Sequence, residues 1–352
     1  MSWMRAARKT PAEIGMLALA PTRRVKRARA MLLAALLLAT LFAAGCNAPA
    51  LQQSQRPSSG SNVGSARVPA LKHIFVIPME NESQSALIGN SAAPYINSLA
   101  QQYGVAAQFY GTAHPSLPNY LEMTAGSTFG VRSDCNQCYQ QQKNIVDQIE
   151  AKGLTWRAYT EDVPSACYTG GDIGGYSKHH NPFVYYDDIR NNPARCANIV
   201  PATTFASDLS ANTAPNLIWY TPSVNHDMHD TGVAAGDAFL QRLVPTILDS
   251  AAYKSGPSAI FIVWDEASKF DTSGCCGGLA WGGHTLALVI STVGKHGYTS
   301  QIPYYHGSLF LTIEDAFVLG TLNDTANPAT RPMADFFTST NTGPTVTPSG
   351  TP

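Results

Sequence analysis

Short apolar runs rich in β-branched and aromatic residues recur along the chain at His73–Pro78, Val105–Tyr110, Leu154–Thr160, Leu217–Thr221, Ala259–Trp264 and Thr285–Ser291. Apolar strands of this kind, set between helices, suit a sheet covered on both faces. Helix-like stretches lie between them at Ala92–Tyr103, Lys143–Lys152 and Gly236–Tyr253, and another follows the last strand at Ser308–Gly320. This alternation predicts an α/β fold: a mainly parallel central sheet with helices on both faces. A shorter helix-like run, Leu121–Ala125, closes at Gly126, and the segment 167–214 reads as an elaborated loop region.

The two ends of the chain have a different character. Basic residues cluster from Arg23 to Arg29 ahead of an apolar run from Met31 to Ala44 and then Gly45-Cys46, the plan of a signal peptide over residues 1–46. The apolar run is shorter than the ~20 residues that span a bilayer. Ala43-Ala44-Gly45-Cys46 resembles a lipobox, which would make Cys46 a lipid anchor, with secreted, periplasmic or outer-membrane-anchored protein as the expected destinations. Residues 47–69 are rich in Gln, Ser, Gly and Pro, as flexible tethers are, and 338–352 read as a disordered tail. One catalytic domain is expected over 70–337.

Beyond residue 46 the chain holds 15 Lys and Arg against 23 Asp and Glu. That acidic balance argues against nucleic acid as a partner, so an anionic ligand must be held by a metal or by a few directed donors. Six cysteines remain there, an even number that suggests disulfides in an oxidising compartment. Cys135–Cys138 and Cys167–Cys196 are the favoured pairs, with Cys275 and Cys276 as a vicinal pair or free thiols. A zinc site on Cys135 and Cys138 is the rival reading.

Candidate chemistry collects at strand ends. Thr112-Ala113-His114-Pro115-Ser116-Leu117-Pro118-Asn119-Tyr120 places a hydroxyl between two prolines, after a strand and before a helix, where backbone N–H groups attract anions. Glu80-Asn81 follows the first strand, Asn225-His226-Asp227-Met228-His229-Asp230 follows Leu217–Thr221, and Asp265-Glu266 follows Ala259–Trp264. Ligands of open α/β sheets sit beyond the carboxyl ends of the strands. His284 instead opens a strand and needs a loop that returns to the same edge. Glu80, Asp265, Glu266 and the Asn81 amide form an oxygen-rich set suited to a divalent cation, to which His226, His229 and His284 could add nitrogen ligands or phosphate donors.

Taken in order, Glu80-Asn81, His114-Pro-Ser116-Leu-Pro-Asn119-Tyr120, Lys178-His-His180-Asn-Pro-Phe183, Asp227-Met-His229-Asp230 and Trp264-Asp265-Glu266 resemble the bacterial phosphoesterase family of acid phosphatases and phospholipases C, within the alkaline-phosphatase-like superfamily. The resemblance runs from about His73 to Leu322. It implies Ser116 as nucleophile and metal ligand, Asn119 as a phosphate donor, and Glu80, Asn81, Asp265 and Glu266 as metal ligands. It implies that His114, His180, Asp227, His229, His284 and His306 line the phosphate pocket or carry protons. Two-metal relatives carry an Asp-His pair where this chain has Asp265-Glu266, so one divalent ion is expected; calcium, magnesium, manganese, zinc and iron all suit such ligands. The implied activity is a metal-dependent acid phosphatase acting on a small phosphate ester through a phosphoserine. The alternatives are a phospholipase C cutting at a phospholipid head group and a metal-independent serine esterase, although no Gly-x-Ser-x-Gly surrounds Ser116.

Overall fold

In a computed structural model, residues 67–210 and 213–338 are described. The signal-peptide segment 1–46 with Cys46, nearly all of the 47–69 tether and residues 339–352 of the tail lie outside them. Among the described residues nine strands form one sheet: β1 (His73–Met79), β2 (Gly104–Tyr110), β3 (Trp156–Thr160), β4 (Ile199–Pro201), β5 (Leu217–Thr221), β6 (Ser258–Trp264), β7 (His284–Ser291), β8 (Tyr298–Ser300) and β9 (Tyr304–Tyr305). Their order is β4-β3-β5-β1-β6-β7-β2-β8, with β9 also on β2.

Side-chain alternation along the central strands separates two cores. Ile74, Val76, Phe261 and Val263 pack with helices Ser116–Ala125, Ile145–Ala151 and His306–Phe317 on one face. Phe75, Ile77, Ile260 and Ile262 pack with helices Pro94–Gln102 and Val233–Asp249 on the other. Period-two burial on both faces is why these strands read as unbroken apolar runs. The expected α/β architecture is present, and most pairings are parallel.

One strand departs from the parallel plan. β7 runs antiparallel to both β6 and β2. Its two reversals return β2 to the direction of β6, so Tyr110 ends at the same sheet edge as Met79, Thr221 and Trp264. They also place the first residue of β7, His284, opposite Tyr110 at that edge, which resolves the direction problem posed by its position in the sequence.

Local boundaries move for physical reasons. The helix expected at Leu121 begins at Ser116, because Pro118 lies in a first turn whose N–H groups have no intrahelical partner. Asn144 caps Ile145–Ala151 through its side chain and a capping box with Asp147. The long helix ends at Asp249, and Ser250 caps a separate turn, Ala251–Lys254. The cysteines pair as Cys135–Cys138, Cys167–Cys196 and Cys275–Cys276.

The loops after β2 and before β7 cross at backbone contact distance. Gly282 N–H donates to the Gly111 carbonyl at 2.8 Å, and Gly111 N–H to the Gly283 carbonyl at 3.0 Å. A Cβ on Gly111 would stand 2.7 Å from the Gly282 carbonyl oxygen and 2.8 Å from that of Asp265. Gly111→Ala should therefore prise the loop leading to Ser116 away from Asp265 and lower stability by about 1–3 kcal/mol. Denaturant unfolding checks this, and an unchanged midpoint would contradict the tight crossing.

Candidate active site

The acidic groups stand on linked strand ends. Glu80 follows β1, and its N–H donates to the Asp227 carbonyl at 2.9 Å; Asp265 follows β6, and its N–H donates to the Met79 carbonyl at 2.9 Å. Asn81 turns the chain with φ +56°, a left-handed conformation that Asn tolerates better than most residues. Its N–H thereby reaches Asp265 Oδ1 at 3.1 Å, and the Glu266 N–H reaches the same oxygen at 2.6 Å. Two backbone donors thus fix one oxygen of Asp265, while Oδ2 is buried with no hydrogen-bond partner.

Ser116 and Tyr120 occupy one face of helix Ser116–Ala125, a turn apart. Ser116 Oγ donates to Glu80 Oε2 at 3.0 Å and Tyr120 Oη donates to Glu80 Oε1 at 2.5 Å, so a single helix grips both carboxylate oxygens. The Ser116 hydroxyl also bears on the Asp265 carboxylate. At the start of the same helix, Leu117 N–H donates to Asp134 Oδ1 at 2.9 Å.

His180 joins Glu80 to Asp227. It sits in the single turn Lys178–His180 with its ring stacked on Tyr120, centroids 5.4 Å apart. Nε2 lies 3.3 Å from Glu80 Oε1, and Nδ1 lies 3.2 Å from Asp227 Oδ2. Neither contact has hydrogen-bond geometry, and both nitrogens and Asp227 Oδ2 are buried without a hydrogen-bond partner. Burial, reinforced by Asp265 and Asp227, pushes the Glu80 carboxyl well above its ordinary range. Burial beside Glu266 does the same to Asp265, and burial raises Asp227 to about 7. Burial, with His179 and His229 near, drives the His180 imidazole well below its usual value.

The fold therefore gathers spare oxygen and nitrogen lone pairs, and among the described residues no Lys or Arg pairs with these carboxylates. Glu80, His180 and Asp227 each offer a donor atom within 4.8 Å of the others, and the orphaned Asp265 Oδ2 stands beside the same serine. A divalent cation fits this set. It would replace carboxyl protons and accept a neutral imidazole.

The other candidates divide by what they touch. Glu266 Oε2 contacts His114 Nδ1 at 2.8 Å, while His114 Nε2 meets the Asp271 carbonyl at 2.8 Å; the Glu266 contact raises the proton affinity of the imidazole. Both His114 nitrogens are thus engaged in bracing. Asn119 Oδ1 accepts the Thr112 and Ala113 N–H groups at 2.8 and 2.9 Å, and its Nδ2 donates to the Ala113 carbonyl at 2.9 Å. Where a phosphate donor was expected, this amide staples the turn that presents Ser116. His306 is buried against the Asp265 carbonyl, and burial lowers it to about 4. His229 is tethered through Nδ1 to Asp230 at 2.6 Å, with its ring 5.5 Å from that of His180.

Two expected residues are engaged elsewhere. His226 pairs with Glu161 at 2.6 Å and stacks on Phe239. His284, although at the correct edge, turns its Nε2 to the Ala107 carbonyl at 2.7 Å and stacks on Tyr110. Tyr120, His179 and Asp134 join the site without a motif that assigns them a role. Tyr120 carries a helical signal, four residues after Ser116, and His179 precedes His180; nothing local marks Asp134.

Residues 90–320 match the sequence profile of the Phosphoesterase family. Over 205 residues the chain is 32% identical to a phosphatidylinositol-3-phosphatase of Mycobacterium tuberculosis, covering 58% of this chain and 66% of that protein. Over 183 residues it is 29% identical to an acid phosphatase of Aspergillus fumigatus, covering 50% and 41%. A solved protein in the alkaline phosphatase superfamily from Vibrio parahaemolyticus aligns with a TM-score of 0.49 at 12% identity, over 74% of this chain and 71% of that one. The chain spans between 41% and 66% of the length of the curated relatives it matches. With the profile match extending over more than half of its length, the chain belongs to the phosphoesterase family.

Proposed function

We propose that this protein is a metal-dependent phosphomonoesterase of the acid-phosphatase type, with Ser116 as nucleophile. The observation that carries the reading is the Ser116 hydroxyl, 3.0 Å from Glu80 Oε2, at a helix start beside buried donor atoms that lack partners. Glu80, Asp265, Asp227 and His180 would hold one divalent ion, with Asn81 and Glu266 next to them. When bound, such an ion supplies positive charge that neutralises the ester's phosphoryl oxygens and lowers the pKa of the serine.

The chain's own groups would divide the remaining work. Ser116 Oγ attacks phosphorus in line as the bond to the alcohol oxygen breaks, and its proton passes toward Glu80, the acceptor it already faces. The departing alkoxide takes a proton from an imidazole, for which His229 is best placed: Nδ1 is anchored on Asp230, leaving Nε2 for transfer. Water then attacks phosphorus, giving a proton to the same imidazole, and as the bond to Ser116 Oγ breaks Glu80 returns the proton it took, which restores the serine and releases phosphate. Tyr120 and the His114–Glu266 pair position the reacting groups.

Relatives named as phosphatases support a monoester over a phospholipase C diester. A lipid-like leaving group is the second reading, favoured by Phe270 (84% exposed) and Trp281 (46% exposed) on the loop that carries Asp271 to His114. The signal-peptide pattern of residues 1–46 and the three disulfides support delivery outside the cytoplasm. Among the described residues no helix is long and apolar enough to cross a membrane.

Ser116→Ala should reduce p-nitrophenyl phosphate turnover by about 10³-fold or more. Retention of full activity would exclude this nucleophile, and activity that survives thorough chelation would favour the metal-independent esterase. A second expectation concerns stability. Carboxyl pKa values raised in the metal-free fold mean that protons bind more tightly there than in the unfolded chain, so stability falls as pH rises through the window ending near 7 set by Asp227. Chelated protein should accordingly melt at lower temperature at pH 8 than at pH 5.5, and manganese or magnesium should restore more at pH 8. Equal metal-induced shifts at both pH values, read by calorimetry, would count against a carboxylate-held cation.

A further inference from the structure

The loop between helices Ser116–Ala125 and Ile145–Ala151 carries a charge that the reaction above does not use. Asp134 Oδ1 accepts the Leu117 N–H at 2.9 Å, the amide next to Ser116. The residue before the helix, Pro115, supplies no side-chain acceptor, so Asp134 fills that role from 17 residues away. The amide belongs to the positive end of the helix, where an oxygen of a phosphoryl group on Ser116 would find a donor. Burial lowers His179 and His180, and the Asp134 charge opposes it; burial raises Glu266, and the same charge adds to that rise. The two histidines share the turn Lys178–His180 and Glu266 follows β6, so with its bond to the amide after Ser116 the carboxylate borders the same space as the nucleophile.

The loop around this carboxylate is braced. Cys135 is joined to Cys138, and Lys178 Nζ donates to the Asn136 carbonyl at 2.7 Å. Asp134 itself is half-buried beside the exposed Ser133. A charge carried on a tied loop at the amide beside a nucleophile is placed to oppose any anion arriving there.

We propose that Asp134 is a built-in competitor for phosphate: its carboxylate holds the Leu117 amide in the free enzyme and yields it when a phosphate ester or inorganic phosphate enters. This rests on the phosphoesterase reading of Ser116. The consequence is weaker retention of inorganic phosphate, so product leaves more readily. A like charge a few ångströms from a phosphoryl oxygen, at the effective dielectric of a protein surface, changes affinity by about tenfold or more.

The test uses full-length, metal-loaded protein with p-nitrophenyl phosphate as substrate and inorganic phosphate as inhibitor and as calorimetric titrant. Asp134→Asn keeps an acceptor for the Leu117 amide and removes only the charge. Its inhibition constant for inorganic phosphate should fall about tenfold, with bound metal unchanged. Asp134→Ala, which also removes the acceptor, should show the same gain in affinity together with a lower melting temperature. An unchanged constant in Asp134→Asn, with only the Ala variant destabilised, would make Asp134 a helix cap and overturn the proposal. A raised constant with loss of metal would make it a ligand and overturn it equally. Wild-type protein that hydrolyses the ester while Asp134→Asn binds phosphate no better sinks the role of Asp134 alone. Wild-type protein that neither hydrolyses the ester nor binds phosphate sinks both readings.

Discussion

Glu80, Asp227 and Asp265 are buried together at one edge of a sheet, and three carboxylates cannot share so small a volume as bare anions. The rest of the site answers that constraint. Ser116 and Tyr120 donate to both oxygens of Glu80, and two backbone N–H groups hold one oxygen of Asp265. The balance that remains must come from protons or from a cation. Buried acids drawn toward protonation beside an imidazole drawn toward neutrality form a set in which a cation could take the place of protons.

The sheet makes this crowding possible. β1, β5 and β6 lie side by side and end at one edge, and their backbone bonds lock Glu80 to the Asp227 loop and Asp265 to β1. β7 then reverses direction and returns β2 to the common orientation, which brings the serine helix to the same place. Close approach of Gly111 and Gly282 sets the distance between the serine loop and the Asp265-Glu266 segment. The chemistry depends on that backbone frame as much as on the side chains.

The histidines separate into roles that residue type alone does not disclose. His180 lies within the acid cluster, His229 beside it with one nitrogen tethered, and His306 beneath Asp265 as a buried prop. His114 serves Glu266 and a backbone carbonyl at once, while His226 and His284 form contacts with Glu161 and Ala107. Membership in the phosphoesterase family accords with the cluster at Ser116.

Much of this was readable in the chain itself. Unbroken apolar runs declared doubly buried strands, because a residue between two helix layers meets no water on either side. The close cysteine spacing foreshadowed Cys135–Cys138, and acids or histidines directly after strands marked the edge where a site would form. Position after a strand is local information, and it survives folding. Direction is different: the antiparallel course of β7, the engagement of Asn119 with its own turn and the turning of His284 to Ala107 depend on partners brought near from distant segments. Tertiary structure alone decided those, since a loop side chain points toward whichever hydrogen-bond partner the packed backbone places within reach, and no nearest-neighbour pattern in the chain encodes that partner.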